Sequence, residues 1–291
     1  MPTAADNASG VDYFIAQAAP TGSALYYACL FSDPARRSAL LAWHALEHEL
    51  LKSLTDIQDP GVARLRLQWW AEEMQRVAAG HARHPLGQAL QPAFGHGRPA
   101  MMEVIDAIAR LQDAVSLPDR ELASQLDADY QRHFAPLWRL SAQLGGVDSD
   151  AALDAAAELG QRHHELRALQ ALPQTLAQGL CRPLARADLA HAGLAETTDL
   201  TAPDWRNLLA QKFTQLRQRI EQLRLAYPAA AAPHFLHGLI LARLDAALAG
   251  EIVRDGCHIG SRQYALTPIR RLWLAWRTRR ALRRRLVTGD K

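Results

Sequence analysis

The feature that most limits what this chain can fold into is its residue balance. Ala and Leu dominate, whereas Val and Ile together are several-fold scarcer. Ala and Leu lose little side-chain freedom in a helix, while β-branched residues favour strands. The balance predicts an all-α protein and argues against a doubly wound α/β sheet or a β-sandwich. The 291 residues suffice to bury a large core. With 49% hydrophobic and 22% charged residues, the chain is neither disordered nor membrane-spanning throughout.

The net charge of +3 hides an imbalance, because Lys occurs only at Lys52, Lys212 and Lys291 and nearly all positive charge is Arg. Guanidinium groups can bind carboxylate or phosphate in a bidentate way. Cys29, Cys181 and Cys257 are too scattered for a metal spacing or a disulfide framework, so a reducing compartment is expected. Met1 to Gly10 is polar and acidic, without the basic start and apolar run of a secretory signal. No run of about 18 apolar residues occurs. The expected location is cytoplasmic, peripheral at most to the inner face of the membrane.

Periodicity places one apolar helix over 11–31 and a long one over 35–54, capped by Ser32-Asp33-Pro34 and striped by Ala39, Trp43, Leu46, Leu50 and Leu54. Asp59-Pro60-Gly61 marks a turn before a helix over 62–79, and a short helical piece is expected at 85–90. On that second long helix, Trp69 and Trp70 sit 100° apart, so one should face inward and the other less so. Further helices are expected over 101–115, 118–144 with a break near Pro136, 151–180 with a break near Pro173, 205–225, 235–252 and 268–286. The piece over 184–194 reads as a loop or short helix. The count expected is about eight to ten, in one domain over 11–286, with a flexible stretch over 1–10 and a tail over 287–291.

Five segments then carry a family resemblance: SALYYACLFSDPARRSALLAWHALEHELLKSL (23–54), RLRLQWWAEEMQRVAAGHARHPLGQAL (64–90), DADYQRHFAPLWRLSAQLGG (127–146), ELGQRHHELRALQALP (158–173) and LTPIRRLWLAWRTRRALRR (266–284). In this order they resemble the squalene/phytoene synthase family. The resemblance implies an isoprenoid-synthase-like bundle around a central cavity. It also implies two Asp-rich motifs on facing helices, because Mg²⁺ ions that neutralise a diphosphate need hard carboxylate ligands. The first motif aligns with Leu51, Lys52 and Thr55, the second with Ala171, Gln174 and Thr175, and none of the six carries a carboxylate. Nearby acids, Glu47, Glu49 and Asp56, restore little of the pattern. The chain is therefore more similar to a degenerate branch, typified by mitochondrial complex I assembly factors of this fold.

That reading implies a non-catalytic protein that binds a lipid, a prenyl chain or a protein partner. No cofactor is expected, and Mg²⁺ enters only if the chain is instead an active prenyltransferase. Ser23, Tyr26, Tyr27, Arg37, His48 and Tyr130 are the candidate cavity or ligand-binding residues. Arg36 and Arg37 follow Pro34 where basic residues of active relatives help hold diphosphate, although surface Arg paired with carboxylates is the plainer reading.

Two further motifs compete. His44-Ala-Leu-Glu47-His48 has the H-x-x-E-H order of inverted zinc proteases, with Glu72 or Glu73 as possible third ligand; polar residues of a His-rich chain explain it as well. The last helix concentrates Arg270, Arg271, Trp273, Trp276, Arg277, Arg280 and Arg284, which suits an anionic membrane or a protein surface. RNA fits the charge too, but nucleic acid is the weaker candidate.

Overall fold

In a computed structural model the described residues are 4–94, 101–178, 183–195 and 197–288. They form fourteen helices and no strand. The first six are α1 (Ala4–Ala18), α2 (Ala24–Leu30), α3 (Pro34–Thr55), α4 (Pro60–Ala78), α5 (Pro85–Phe94) and α6 (Met101–Ala114). Next come α7 (Ala123–His133), α8 (Ala135–Gly145), α9 (Asp150–Gln170), α10 (Leu172–Ala177) and α11 (Arg186–His191). The last three are α12 (Pro203–Ala226), α13 (Leu236–Arg254) and α14 (Pro268–Thr288).

The helix starts follow local chemistry. Asp33 accepts from the Ala35 amide at 3.0 Å, and Asp59 from those of Gly61 and Val62 at 2.7 and 3.2 Å; in both cases Pro follows at the first helical position. The breaks near Pro136 and Pro173 separate α7 from α8 and α9 from α10. Two expectations are corrected. The single helix over 11–31 is two, divided at Pro20-Thr21-Gly22, where Gly22 takes φ +86°; the first of them already begins at Ala4. The count is fourteen because short helices such as α10 and α11 escape a periodicity that needs several turns to register. Of the expected segments, 179–180, 289–291 and Cys181 lie outside the described residues. Cys29 and Cys257 are buried thiols, and burial pushes them up to about 12 and about 11.

Two apolar cores share one wall. The larger gathers α2 and α9 to α14 around Trp205, Phe213, Tyr227 and Phe235. The smaller joins α3, α4, α5 and α6 around Trp43, Trp70 and Met74. Trp70 is buried and Trp69 is 41% exposed, as the 100° offset requires. Helix α8 stands between the cores: Leu137, Leu140 and Leu144 face the smaller, Trp138 and Ala142 the larger. It packs closely along α9 because Gly160 leaves room for Trp138.

A Cβ at Gly160 would fall on Trp138 Cβ and Cγ, well inside contact distance. Gly160→Ala should force α8 from α9 and cost about 1–3 kcal/mol, the usual range for overpacking a dense core. Urea unfolding followed by circular dichroism would read this as a lower midpoint.

Candidate functional site

Between the two cores α3, α6, α7, α9 and α10 enclose an open cavity of about 350 Å³. Leu51 and Thr55, one turn apart on α3, line one wall. Ala171, at the α9–α10 junction, and Thr175, on α10, line another. Of the six positions aligned with Asp-rich motifs, these four meet at the cavity. Lys52 is drawn to Glu49, 3.3 Å away, and Gln174 is exposed, so neither lines it. Most of the remaining lining is apolar, including Leu54, Phe134 and Ala168.

The polar lining is Tyr130, Asp129, His164 and Arg167 with the two Thr hydroxyls. Burial first, then the charges of Glu165 and Asp129, push the Tyr130 phenol above its usual range, so it is a neutral donor. Arg167 donates to Asp245 at 2.9 Å and to Gln170 at 2.9 Å, which fixes its guanidinium beside the cavity. His163 Nδ1 shares Asp245 at 2.6 Å from the neighbouring turn. Burial pushes Asp245 up, but the charges of His163 and Arg167 outweigh it and hold the carboxyl below its usual value.

Beneath this wall lies a buried polar cluster. Glu47 Oε2 is 2.7 Å from His44 Nδ1, and Glu47 Oε1 is 3.2 Å from His164 Nε2, off the line of a good hydrogen bond. Ser141 on α8 bridges His44 Nε2 at 3.3 Å and His237 Nε2 at 2.7 Å. Burial alone would raise the Glu47 carboxyl, yet the two imidazoles set against it, His164 at ion-pair distance and His44 at hydrogen-bond distance, hold it below the carboxylate range, so it is an anion. His237 is pushed well below its usual value by burial and by the charge of His44, and His163 is lowered chiefly by burial.

Several candidates are not brought to the cavity. Ser23 caps α2, accepting from the Tyr26 amide at 3.1 Å. Tyr26 and Tyr27 pack edge to face on α2, and Tyr27 supports the larger core. Arg37 donates to the carbonyls of Cys29, Leu30 and Ser32 at 3.1, 2.8 and 3.2 Å, so its partners are backbone oxygens rather than carboxylates. His48 is half-buried outside the lining. Tyr130 alone of the six lines the cavity. For zinc, His44 is spent on Glu47 and Ser141, and Glu73 accepts from Arg76 and from the amides of Arg83 and His84. Glu72 is exposed, and among the described residues no three His, Cys, Asp or Glu are grouped to hold a metal.

Sequence reasoning missed Arg167, Ser141 and Asp245. His163-His164 and His234-x-x-His237 stand in the sequence as weaker metal candidates than the H-x-x-E-H run, and nothing local pairs Arg167 with Asp245, 78 positions away. The Mg²⁺ cluster that serves a diphosphate does not fit the donors present. Asp129 is the one carboxylate among the described lining residues, and both its oxygens accept from Arg120, at 2.6 and 2.9 Å.

A helical bundle with a cavity between two cores is the architecture of isoprenoid synthases, and the comparisons with known proteins agree. The Squalene/phytoene synthase family profile matches residues 19–277. The chain belongs to the squalene/phytoene synthase family. In structure it is similar to squalene synthase HpnC from Alicyclobacillus acidocaldarius, with TM-score 0.68 and 19% identity over 86% of this chain and 94% of that one. It is also similar to a dehydrosqualene synthase solved with a ligand, with TM-score 0.67 and 14% identity over 96% of this chain and 98% of that one. At these identities the likeness concerns the fold. No curated protein sequence matches the chain significantly.

The buried imidazoles set a pH dependence. His237 and His163 bind protons less readily folded than unfolded, where the value is 6.5. The unfolded chain therefore takes up more protons as pH falls through 6.5, and stability drops. The melting temperature should hold above about pH 7 and decline between about pH 6.5 and 5. Glu47 and Asp245 act in the same direction, but only below about pH 4. His237→Asn, which cannot charge, should flatten the decline when melting is followed calorimetrically across that range.

Proposed function

We propose that this family member does not ionise prenyl diphosphates and instead binds an apolar chain of the prenyl or quinone type in its cavity, as a lipid-binding or assembly protein. The observation that carries this reading is the cavity wall itself. Where a Mg²⁺–diphosphate cluster would need carboxylates, Leu51, Thr55, Ala171 and Thr175 present methyl, methylene and hydroxyl groups. Such a wall favours burial of hydrocarbon, worth about 25 cal/mol per Å² removed from water. Tyr130 and Arg167 offer hydrogen bonds to a single polar head, a pattern common to pockets that take largely apolar ligands. The names of the similar structures, squalene and dehydrosqualene synthase, support the isoprenoid class of ligand.

Purified protein incubated with farnesyl or geranylgeranyl diphosphate and Mg²⁺ should release no pyrophosphate. The same protein should melt a few degrees higher with a prenyl alcohol or a short-chain quinone, since a ligand that binds only the folded state stabilises it. Ala171→Trp should fill the cavity and abolish that rise while leaving the free protein folded. Pyrophosphate release at enzymatic rates would overturn the proposal.

A further inference from the structure

Helix α14 takes no part in the cavity, yet it is the most charged element of the protein. It carries eight Arg and no acidic residue between Pro268 and Thr288. Its inner face is settled: Leu274, Ala275 and Thr278 are buried, and Arg271 Nη1 donates to the Gly22 carbonyl at 2.7 Å. At 100° per residue, Ile269, Leu272, Trp273 and Trp276 fall together on the opposite side, continued by Arg280 and Arg283. There Ile269 is 83% exposed, Trp273 48% and Trp276 43%. Solvent is a poor setting for four large apolar side chains in one stripe.

The exposed indoles are braced by the cations. The Arg277 guanidinium lies 4.5 Å from the Trp273 ring centre, and that of Arg280 lies 5.2 Å from Trp276. Among the described residues Arg277, Arg279, Arg280 and Arg283 form no ion pair, so their charge is offered outward. Beside them a cleft of about 330 Å³ separates α14 from the α2–α3 turn, with Arg279 and Arg283 on its α14 side. On the other side Ser32 is 6% exposed, and its buried hydroxyl has no hydrogen-bond partner. Asp33, the cleft's one carboxylate, caps α3. Two guanidinium groups facing a buried hydroxyl suit a phosphodiester, and the Leu30, Phe31, Leu282 and Leu286 side chains suit the glycerol and first methylenes beneath it.

We propose that the outer face of α14, with this cleft, docks the protein on an anionic phospholipid bilayer. The indoles and Ile269 enter the interfacial layer, the Arg row lies on lipid phosphates, and one headgroup phosphate sits between Ser32, Arg279 and Arg283. Charge alone would suit RNA as well, but Ile269 and Leu272 have no use on a nucleic acid, whereas amphipathic helices of this composition lie in bilayer interfaces. No helix among the described residues is long and apolar enough to cross a membrane, so the attachment is to the surface. The proposal does not depend on what the cavity binds.

The test is co-sedimentation of the full chain with vesicles of phosphatidylcholine alone or mixed with phosphatidylglycerol, at low and high salt, with no isoprenoid present. Binding is expected to the mixed vesicles only and to weaken at high salt. The Arg279→Glu, Arg283→Glu pair and the Trp273→Ala, Trp276→Ala pair should each lower partitioning by roughly tenfold or more. Ser32→Ala should lower it less, without changing the salt dependence. The same charge change on α4 and α6, Arg64→Glu with Arg110→Glu, should leave partitioning nearly unaltered. Circular dichroism would confirm that each variant is folded. Failure of the wild type to bind the mixed vesicles, equal loss with the α4 and α6 control, or binding to an RNA oligonucleotide but not to vesicles would overturn the proposal.

Discussion

A buried carboxylate, Glu47, sits where the two cores of this protein adjoin. It lies on α3, in the smaller core, and meets His44 on its own helix and His164 on α9, which belongs to the larger core. Through His44 the cluster continues to Ser141 on α8 and His237 on α13. Four helices thus share one polar knot where the cores adjoin. An anion at that depth is tolerable only while its partners stand in place, since removing one partner of a buried ion pair typically costs about 3–5 kcal/mol. Apolar packing of α3 on α8, and of α8 on α9, leaves some freedom of register, whereas a buried carboxylate penalises arrangements that part it from its imidazole partners.

The cavity follows from that contact. Residues 47, 51 and 55 share one face of α3, and residues 164 and 168 share one face of α9, with Ala171 following at the α9–α10 junction. The two faces touch at Glu47 and His164 and part beyond it. Leu51 and Thr55 then look across open space toward Ala168 and Ala171. Small and apolar side chains at those positions keep the space open, because nothing there reaches far enough to fill it or to bridge it with charge. The polar knot is therefore the floor of the cavity as well as the joint between the cores. Arg167, held by Asp245, stands three residues along from His164 and brings the larger core's charge to the rim.

The helix α14 shows the same economy on the outside. Its inner side is docked by Leu274, Ala275, Thr278 and Leu282 and by the ties of Arg270 to Glu251, Arg271 to the Gly22 carbonyl and Arg285 to the Leu225 carbonyl, while the stripe of Ile269, Trp273 and Trp276 stays exposed. Stacking of Arg277 and Arg280 on the exposed indoles gives each guanidinium a partner on the solvent side of the helix.

Much was legible in the chain. Helical class follows from Ala and Leu over Val and Ile, and the helix starts at Pro34 and Pro60 follow from Asp-Pro caps, because both depend on local conformational preference. The motif segments led to the right family, and the aligned positions 51, 55, 171 and 175 proved to be neighbours across one cavity. Local pattern overreached at 11–31, where a Pro and a Gly with positive φ divide the apolar run; Ser23 caps α2, and Arg37 on α3 donates to carbonyls at the end of α2. What only the tertiary structure decided is which distant polar groups meet. Ser141 with His237, His164 with Glu47, and Arg167 with Asp245 are separated by tens of residues, and no period or cap encodes their partners. Short-range preference sets where helices begin and end, whereas the burial of charge is settled only when the helices have packed and each ionised group has found the one neighbour that offsets its loss of water.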